Sequence, residues 1–397
     1  MPWRETCAMN ERMCFIAAWL AGSETMSELC RHFGISRKTG YKWAGRHFRE
    51  GALGLADRSR APRFNPRAIS CETIEAILAV RHRHPTWGPR KVKAWLEAQR
   101  PKRCWPAAST IGNIFDRAGL TQPRKRRRRT PPHGQPFAAC REPNDVWCVD
   151  FKGWFLTGDG TQVDPLTISD GASRYLICCE AVGRTDEAHV WPLFEAAFYD
   201  YGLPLAMRSD NGAPFASRAT AGLSRLSVKL IKAGIMPERI EPGKPQQNGR
   251  HERMHLTLKQ ETAAPPARSL AEQLERFERF RQIYNHERPH EALGQCPPAS
   301  LYRRSPRTYD GILRSPDYPA ETVIRKVRRK GEIKWKGNCI FVSEVLATEP
   351  VGLSEVEDDV WLLKYGPVVL GTIRGRAGLI RVGSRIRKGP APSPQQT

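Results

Sequence analysis

Three acidic residues stand where a carboxylate has little reason to be unless it does chemistry. Asp150 interrupts the apolar run Val146-Trp147-Cys148-Val149-Asp150-Phe151, and a carboxylate inside such a strand costs free energy unless it is paired or binds a cation. Asp210 follows a short apolar segment and opens Asp210-Asn211-Gly212, while Glu252 falls in the first turn of a helix starting near residue 250. A strand, a strand end and a helix converge only in an α/β core built on a central sheet. Clustered hard oxygen donors suit Mg²⁺ or Mn²⁺, which keep several waters and take carboxylates together with substrate phosphates. The matching chemistry is in-line displacement at phosphorus with two ions per site. One ion activates the attacking water or 3′-hydroxyl and the other stabilises the leaving oxygen. Without a cation, three crowded carboxylates repel one another. Taken singly, Asp210 also reads as an ordinary Asp-Asn-Gly turn and Glu252 as a surface glutamate.

The composition supplies a partner. Lys and Arg number 64 against 41 Asp and Glu, a formal charge of +23 over 397 residues. Clustered cations displace condensed counterions from nucleic acid, so this balance implies a polyanion; a basic solvated surface on an ordinary enzyme is the bland alternative. The 11 cysteines are scattered, odd in number and without a CxxC pair, which suits reduced thiols rather than a disulfide framework or a zinc site. There is no signal-peptide pattern, and the apolar stretch 14–21 is too short to span a membrane. The expectation is a soluble cytoplasmic protein.

These residues need elements to hold them. Residues 11–47 read as three helices, with Gly34-Ile35-Ser36 as the turn before a basic third helix. Helix, glycine turn and basic helix make a helix-turn-helix, with Ser36 as N-cap. Arg37, Lys38 and Lys42 would face DNA and Trp43 would join the core; a plain bundle with a basic face is the alternative. Residues 72–120 read as a second helical unit broken at Trp87-Gly88-Pro89, either another helix-turn-helix or an inert spacer. Arg124-Lys125-Arg126-Arg127-Arg128-Arg129 cannot pack in a core and is expected to stay extended until it meets phosphate. From Asn144 onward strands are expected over 146–151, 162–169, 175–182 and 205–209. Helices are expected over 187–201, 223–233 and 250–262, and Ser269 with Glu272 forms a capping box for one more. Glycine-punctuated apolar runs over 322–374 fit a small β-barrel. The chain thus divides as 1–60, 61–120, a basic linker 121–142, 143–305, 318–376 and a disordered basic tail 377–397.

Five segments, in order, resemble the integrase core of bacterial insertion-sequence transposases. They are Val146 to Phe155 around Asp150, Leu166 to Tyr175, Asp210-Asn211-Gly212, Asn248-Gly249-Arg250-His251-Glu252-Arg253, and Tyr284-Asn285-His286-Glu287-Arg288-Pro289-His290-Glu291-Ala292-Leu293 followed by Pro297-Pro298-Ala299. The likeness is greatest to the IS481-type group, related to IS3-type transposases and retroviral integrases. It implies a multidomain α and α/β fold: N-terminal helix-turn-helix units, a ribonuclease-H-like mixed-sheet integrase core and a C-terminal small SH3-like β-barrel. It also implies two-metal catalysis by Asp150, Asp210 and Glu252 and a homo-oligomer acting on terminal inverted repeats and target DNA in the bacterial cytoplasm. Lys259 lies two helical turns after Glu252 and shares its face; the resemblance gives it a DNA end to hold, while a solvated lysine is the plain alternative.

Two departures stand out. The interval from Asp210 to Glu252 is longer than is commonest in the superfamily, with an insertion expected at residues 214–221 or 237–241, which makes Glu241 and Glu261 rival third acids. Gly171 stands where a polar residue is usual, and neighbouring Asp170 is a rival first acid for which a turn role is expected. The C-terminal module carries a basic edge of Lys326, Arg328, Arg329, Lys330 and Lys336, for nonspecific DNA contact or for multimer contact. The leading function is metal-dependent DNA cleavage and strand transfer. A catalytically silent DNA-binding repressor and a simple nuclease of the same fold are the alternatives.

Overall fold

The computed structural model describes residues 7–59, 68–121, 140–217, 219–240, 249–375 and 378–381. The basic run 124–129, the segment 241–248 with Glu241 and Asn248, and the tail from 382 lie outside the described residues. Two compact units result, Met1–Ala68 and Ile69–Thr397.

The first unit is three helices, α1 (Ala8–Ala21), α2 (Met26–His32) and α3 (Arg37–Glu50). Thr25 and Glu28 form a reciprocal capping box at α2, and Ser36 Oγ accepts from the Thr39 N–H at 3.2 Å to start α3. Phe15, Ile16, Leu29, Cys30, Trp43, Ala44 and Leu55 form the core. Gly40 sets how closely α2 and α3 approach, because a Cβ there would lie 2.5 Å from Cys30 Sγ and 3.0 Å from Met26 Sδ.

In the second unit, α4 (Cys71–Arg83), α5 (Pro89–Gln99) and α6 (Ala108–Arg117) enclose Ile77, Trp87, Val92, Ile111 and Phe115. A mixed sheet follows, of β1 (Val146–Phe151), β2 (Phe155–Leu156), β3 (Gln162–Asp170), β4 (Leu176–Val182), β5 (Ala206–Ser209) and β6 (Met236–Arg239). β1 pairs antiparallel with β3 and parallel with β5, and β6 extends the parallel edge. The period-2 alternation of β3 decides what each face meets. Leu166 and Ile168 pack with Val190, Phe194 and Phe198 of α7 (Glu187–Tyr201) and with Leu226 and Leu230 of α8 (Arg225–Lys232). Val163 instead packs with Met254 and Leu258 of α9 (Gly249–Thr262) and Phe277 and Phe280 of α10 (Leu270–Gln282).

Residues 237–239, in one of the stretches expected to carry an insertion, lie in the edge strand β6. Their polar sequence is stabilised by a cross-strand ion pair, Arg208 with Glu238 at 2.9 Å. The segment 284–293 fastens the helical unit to the core. Asn285 donates to and accepts from the backbone of Leu176, at 2.9 and 2.7 Å. Arg83 pairs with Glu287 at 3.1 Å, Arg90 with Glu291 at 2.6 Å, and Lys91 donates to the Pro289 carbonyl.

The C-terminal part is a five-stranded antiparallel sheet plus a hairpin. Its strands are β7 (Val323–Lys326), β8 (Glu332–Trp335), β9 (Asn338–Phe341), β10 (Pro350–Glu357), β11 (Val360–Tyr365), β12 (Val368–Arg374) and β13 (Leu379–Arg381). The sheet order is β13-β12-β11-β10-β7, with β8-β9 as the hairpin. Val327, Ile333, Leu353, Leu363 and Leu370 share one core with Val228 and Ile231 of α8 and with Leu223 just before it, and Lys232 pairs with Glu349 at 2.7 Å. Among the described residues none of the cysteines forms a disulfide, and no helix is long and apolar enough to cross a membrane.

Gly40→Ala is expected to destabilise the first unit by about 1–3 kcal/mol through overpacking. Hydrogen exchange should accelerate over residues 8–55 and stay unchanged in the second unit; equal protection in both proteins would contradict the packing argument.

Candidate active site

The parallel pairing of β1 with β5 brings the first two acids together. The ladder matches Val146 with Ala206 and Cys148 with Arg208, and Asp150 and Asp210 each lie two residues further on. Both therefore reach the carboxyl ends of adjacent parallel strands, the position where open α/β sheets bind ligands. The Asp210 loop is held in place: Gly212 N–H donates to Asp210 Oδ1 at 2.9 Å, and Asn211 Nδ2 donates to the Ile240 carbonyl at 2.8 Å.

The third acid comes from α9, whose position is set by a buried polar network that the sequence reading missed. Thr167 Oγ1 lies 2.7 Å from His251 Nε2, 2.7 Å from His255 Nε2 and 3.1 Å from the Asp150 carbonyl. Ser169 Oγ lies 2.9 Å from His251 Nδ1. Burial holds His251 well below the ordinary histidine value, with His255 beside it adding to the effect, and burial lowers His255 to about 3. With both rings neutral and the Thr167 hydroxyl donating to the Asp150 carbonyl, the remaining donors follow. Each Nε2–H donates to Thr167, Thr167 donates to the Asp150 carbonyl, and Ser169 donates to His251 Nδ1. The signal was present: His251 and His255 stand four apart on the helix face that carries Met254 and Leu258. Glu252, next to His251, is exposed.

Electrostatics link the three acids. The Asp150 carboxyl is pushed up to about 7, first by burial, then by Asp210 and, more weakly, by Glu252, against a lowering hydrogen bond from the Phe151 backbone. An anion held under such cost, with the carboxylates of Asp210 and Glu252 near it and His255 Nδ1 at 3.9 Å, fits a divalent cation. Among the described residues, no group of three His, Cys, Asp or Glu side chains stands close enough to form a ready-made cage.

Two of the rivals, Asp170 and Glu261, are occupied elsewhere. Asp170 accepts from the Asn144 N–H at 2.7 Å and from the Ser173 N–H and hydroxyl at 2.7 and 2.6 Å, which is a turn role. Glu261 pairs with Arg288 at 2.7 Å and accepts from Thr86. Lys259 is exposed on α9, and Arg37, Lys38 and Lys42 are exposed on α3 while Trp43 is 7% exposed. On the C-terminal edge Lys336 pairs with Asp359, and Lys326, Arg328, Arg329 and Lys330 are exposed.

Comparison with known proteins bears on this geometry. Two family models, each described as an integrase core domain, match residues 141–245 and 233–298. A helix-turn-helix domain model matches residues 11–63 and a homeodomain-like domain model 39–115. A 39.2 kDa protein of insertion element IS476 from Xanthomonas euvesicatoria is 30% identical over 296 residues, 71% of this chain and 79% of the relative. The chain belongs to the insertion-sequence transposases with an integrase core.

A second relative of this transposase, a 31.7 kDa protein of insertion element IS407 from Burkholderia multivorans, is 27% identical over 247 residues, 59% of this chain and 82% of the relative. A chain of a simian T-cell lymphotropic virus intasome, solved with PP2A regulatory subunit B56 gamma, aligns at TM-score 0.36 and 16% identity over 76% of this chain and 99% of that one, too low to bear on function. The transposase is a DNA-binding protein of the polynucleotidyl-transferase type.

Thr167→Val removes the hydroxyl that both imidazoles share. We expect a loss of about 2 kcal/mol from unpartnered buried groups, read as a lower denaturant midpoint at unchanged slope; an unchanged midpoint would count against the network. Acid should act on the same groups. His84 and His290 are held by burial at about 4 and about 3, alongside His255 at about 3 and His251 well below the ordinary histidine value. As pH falls below 6.5, the unfolded chain takes up protons that these four folded rings refuse, so stability should fall by up to about 1.4 kcal/mol per pH unit per ring, a loss that the raised carboxyl of Asp150 only partly offsets in this window. Urea melts at pH 7 and pH 5 test this; equal stabilities would refute it.

Proposed function

We propose that this transposase binds the ends of its insertion sequence and catalyses metal-dependent DNA cleavage and strand transfer, with Asp150, Asp210 and Glu252 as the catalytic and metal-binding acids. The observation that carries the reading is the shared carboxyl edge of β1 and β5, where burial, then Asp210 and Glu252, make Asp150 costly to ionise. When bound, a pair of Mg²⁺ or Mn²⁺ ions supplies an activated attacking oxygen and a stabilised leaving oxygen. The chain's own residues do the positioning. Asp150 and Asp210 present oxygens from a rigid sheet, and the Thr167 network fixes the helix that brings Glu252 to them.

Arg37, Lys38 and Lys42 would read the terminal repeats from α3, Arg124 to Arg129 would contact phosphate between helical and catalytic parts, and Lys259 would hold the DNA end. A homo-oligomer on paired ends, the modular division stated from sequence and the IS481-type placement belong to the same reading; the placement rests on the motif set alone.

The test is purified protein with Mg²⁺ and labelled DNA carrying the element's terminal repeats. Joined products are expected from the wild type. Asp150→Asn, Asp210→Asn and Glu252→Gln should each lose at least about a hundredfold in joining while still binding the repeats. Cuts without joining would make the protein a nuclease, and a bound but unaltered probe would make it a repressor. Full joining by Glu252→Gln would remove Glu252 from the site.

A further inference from the structure

Just past Asp150 the chain leaves β1 and re-enters the sheet as β2 at Phe155. Gly153 adopts φ +83°, with nothing near enough to crowd it, and the next residue, Trp154, is 63% exposed. Large aromatic rings gain most from burial, so an indole left in water beside a reaction centre needs a reason.

Trp154 borders a cavity of about 290 Å³ that Lys152, Phe155, Leu258, Lys259 and Phe277 also line. Leu258 and Phe277 are each 1% exposed, so they give the cavity a fixed apolar base, and Phe155 packs edge-on against Phe277 at 6.4 Å. Lys152 lies two residues after Asp150 and Lys259 two helical turns after Glu252, so the cavity opens between the elements that carry the first and third acids. Among the described residues neither lysine forms an ion pair.

The volume sits at the low end for ligand pockets, about 300–1,000 Å³, which suits one flat ring. An exposed aromatic face, an apolar base and two ammonium groups together recognise a nucleotide, the base by stacking and the phosphate by charge. A base can enter only if it leaves the duplex, and enzymes acting on nucleic acid do displace bases into such pockets.

We propose that this cavity receives one unpaired nucleobase of the DNA end, stacked on Trp154, with its phosphate held by Lys152 and Lys259. The inference rests on the strand-transfer reading above and adds to it a site that holds the end open beside the acids.

The experiment compares binding of the full-length protein, at one fixed salt concentration, to two labelled terminal-repeat duplexes. One is paired to its end; the other carries mispaired terminal nucleotides. Wild type should favour the frayed end about tenfold. Trp154→Ala should bring the frayed end down to the affinity of the paired one, and Trp154→Phe should restore most of the preference, since stacking needs only an aromatic face. Matched thermal melts of wild type and variants show that the change is not unfolding. Equal binding of both ends by wild type, or a preference that survives Trp154→Ala, overturns the proposal. Joining by the same preparations separates the two readings. Joining without end preference removes the pocket and leaves strand transfer, whereas end preference without joining supports the pocket and removes strand transfer.

Discussion

A single hydroxyl, that of Thr167, stands at the junction on which the acidic edge depends. It touches the backbone of the residue that carries the first acid and both imidazoles of the helix that carries the third. Helix α9 is polar overall, and a polar helix has little hydrophobic drive to choose its rotation on a sheet. Met254 and Leu258 bury it, but directional hydrogen bonds choose the rotation, and that choice leaves Glu252 exposed yet near enough to Asp150 to raise its carboxyl. Because the rings are buried and neutral, the anchoring adds no positive charge that would compete with a cation for Asp150.

The far end of the same helix is tied down differently. Glu261 is engaged by Arg288 and Thr86, so α9 is clamped at its first turns to the sheet and at its last turns to the helical unit. The segment 284–293 supplies Arg288, the carbonyl that receives Lys91, and the carboxylates that receive Arg83 and Arg90. Desolvation lowers Lys91 to about 8, the cost of seating an ammonium in that junction. The motif is therefore architectural: it joins helices that precede the catalytic sheet to helices that follow it.

Much of this was legible from residue types. Asp150 was visible because an acid in an apolar strand violates the pattern around it, and Ser36 marks a helix start by local chemistry. What escaped did so for physical reasons. β6 reads as Met-Pro-Glu-Arg, a poor strand by propensity, and it exists because Arg208 of the neighbouring strand meets Glu238. His251 and His255 look like solvent residues on a helix rich in charge; only the tertiary pairing with Thr167 and Ser169 makes them core. Glu261 competed with Glu252 on sequence because both sit on one helix, and a partner some thirty positions away, Arg288, decided its role.

The face of α8 has a practical consequence. Leu223, Val228 and Ile231 belong to the catalytic half by sequence but to the C-terminal sheet by packing. A fragment cut after residue 305 would bare that greasy strip to solvent and offer it to any neighbouring copy, so such a truncation would report on stickiness as much as on enzymology. Dissection of this protein is better done with point substitutions than with scissors.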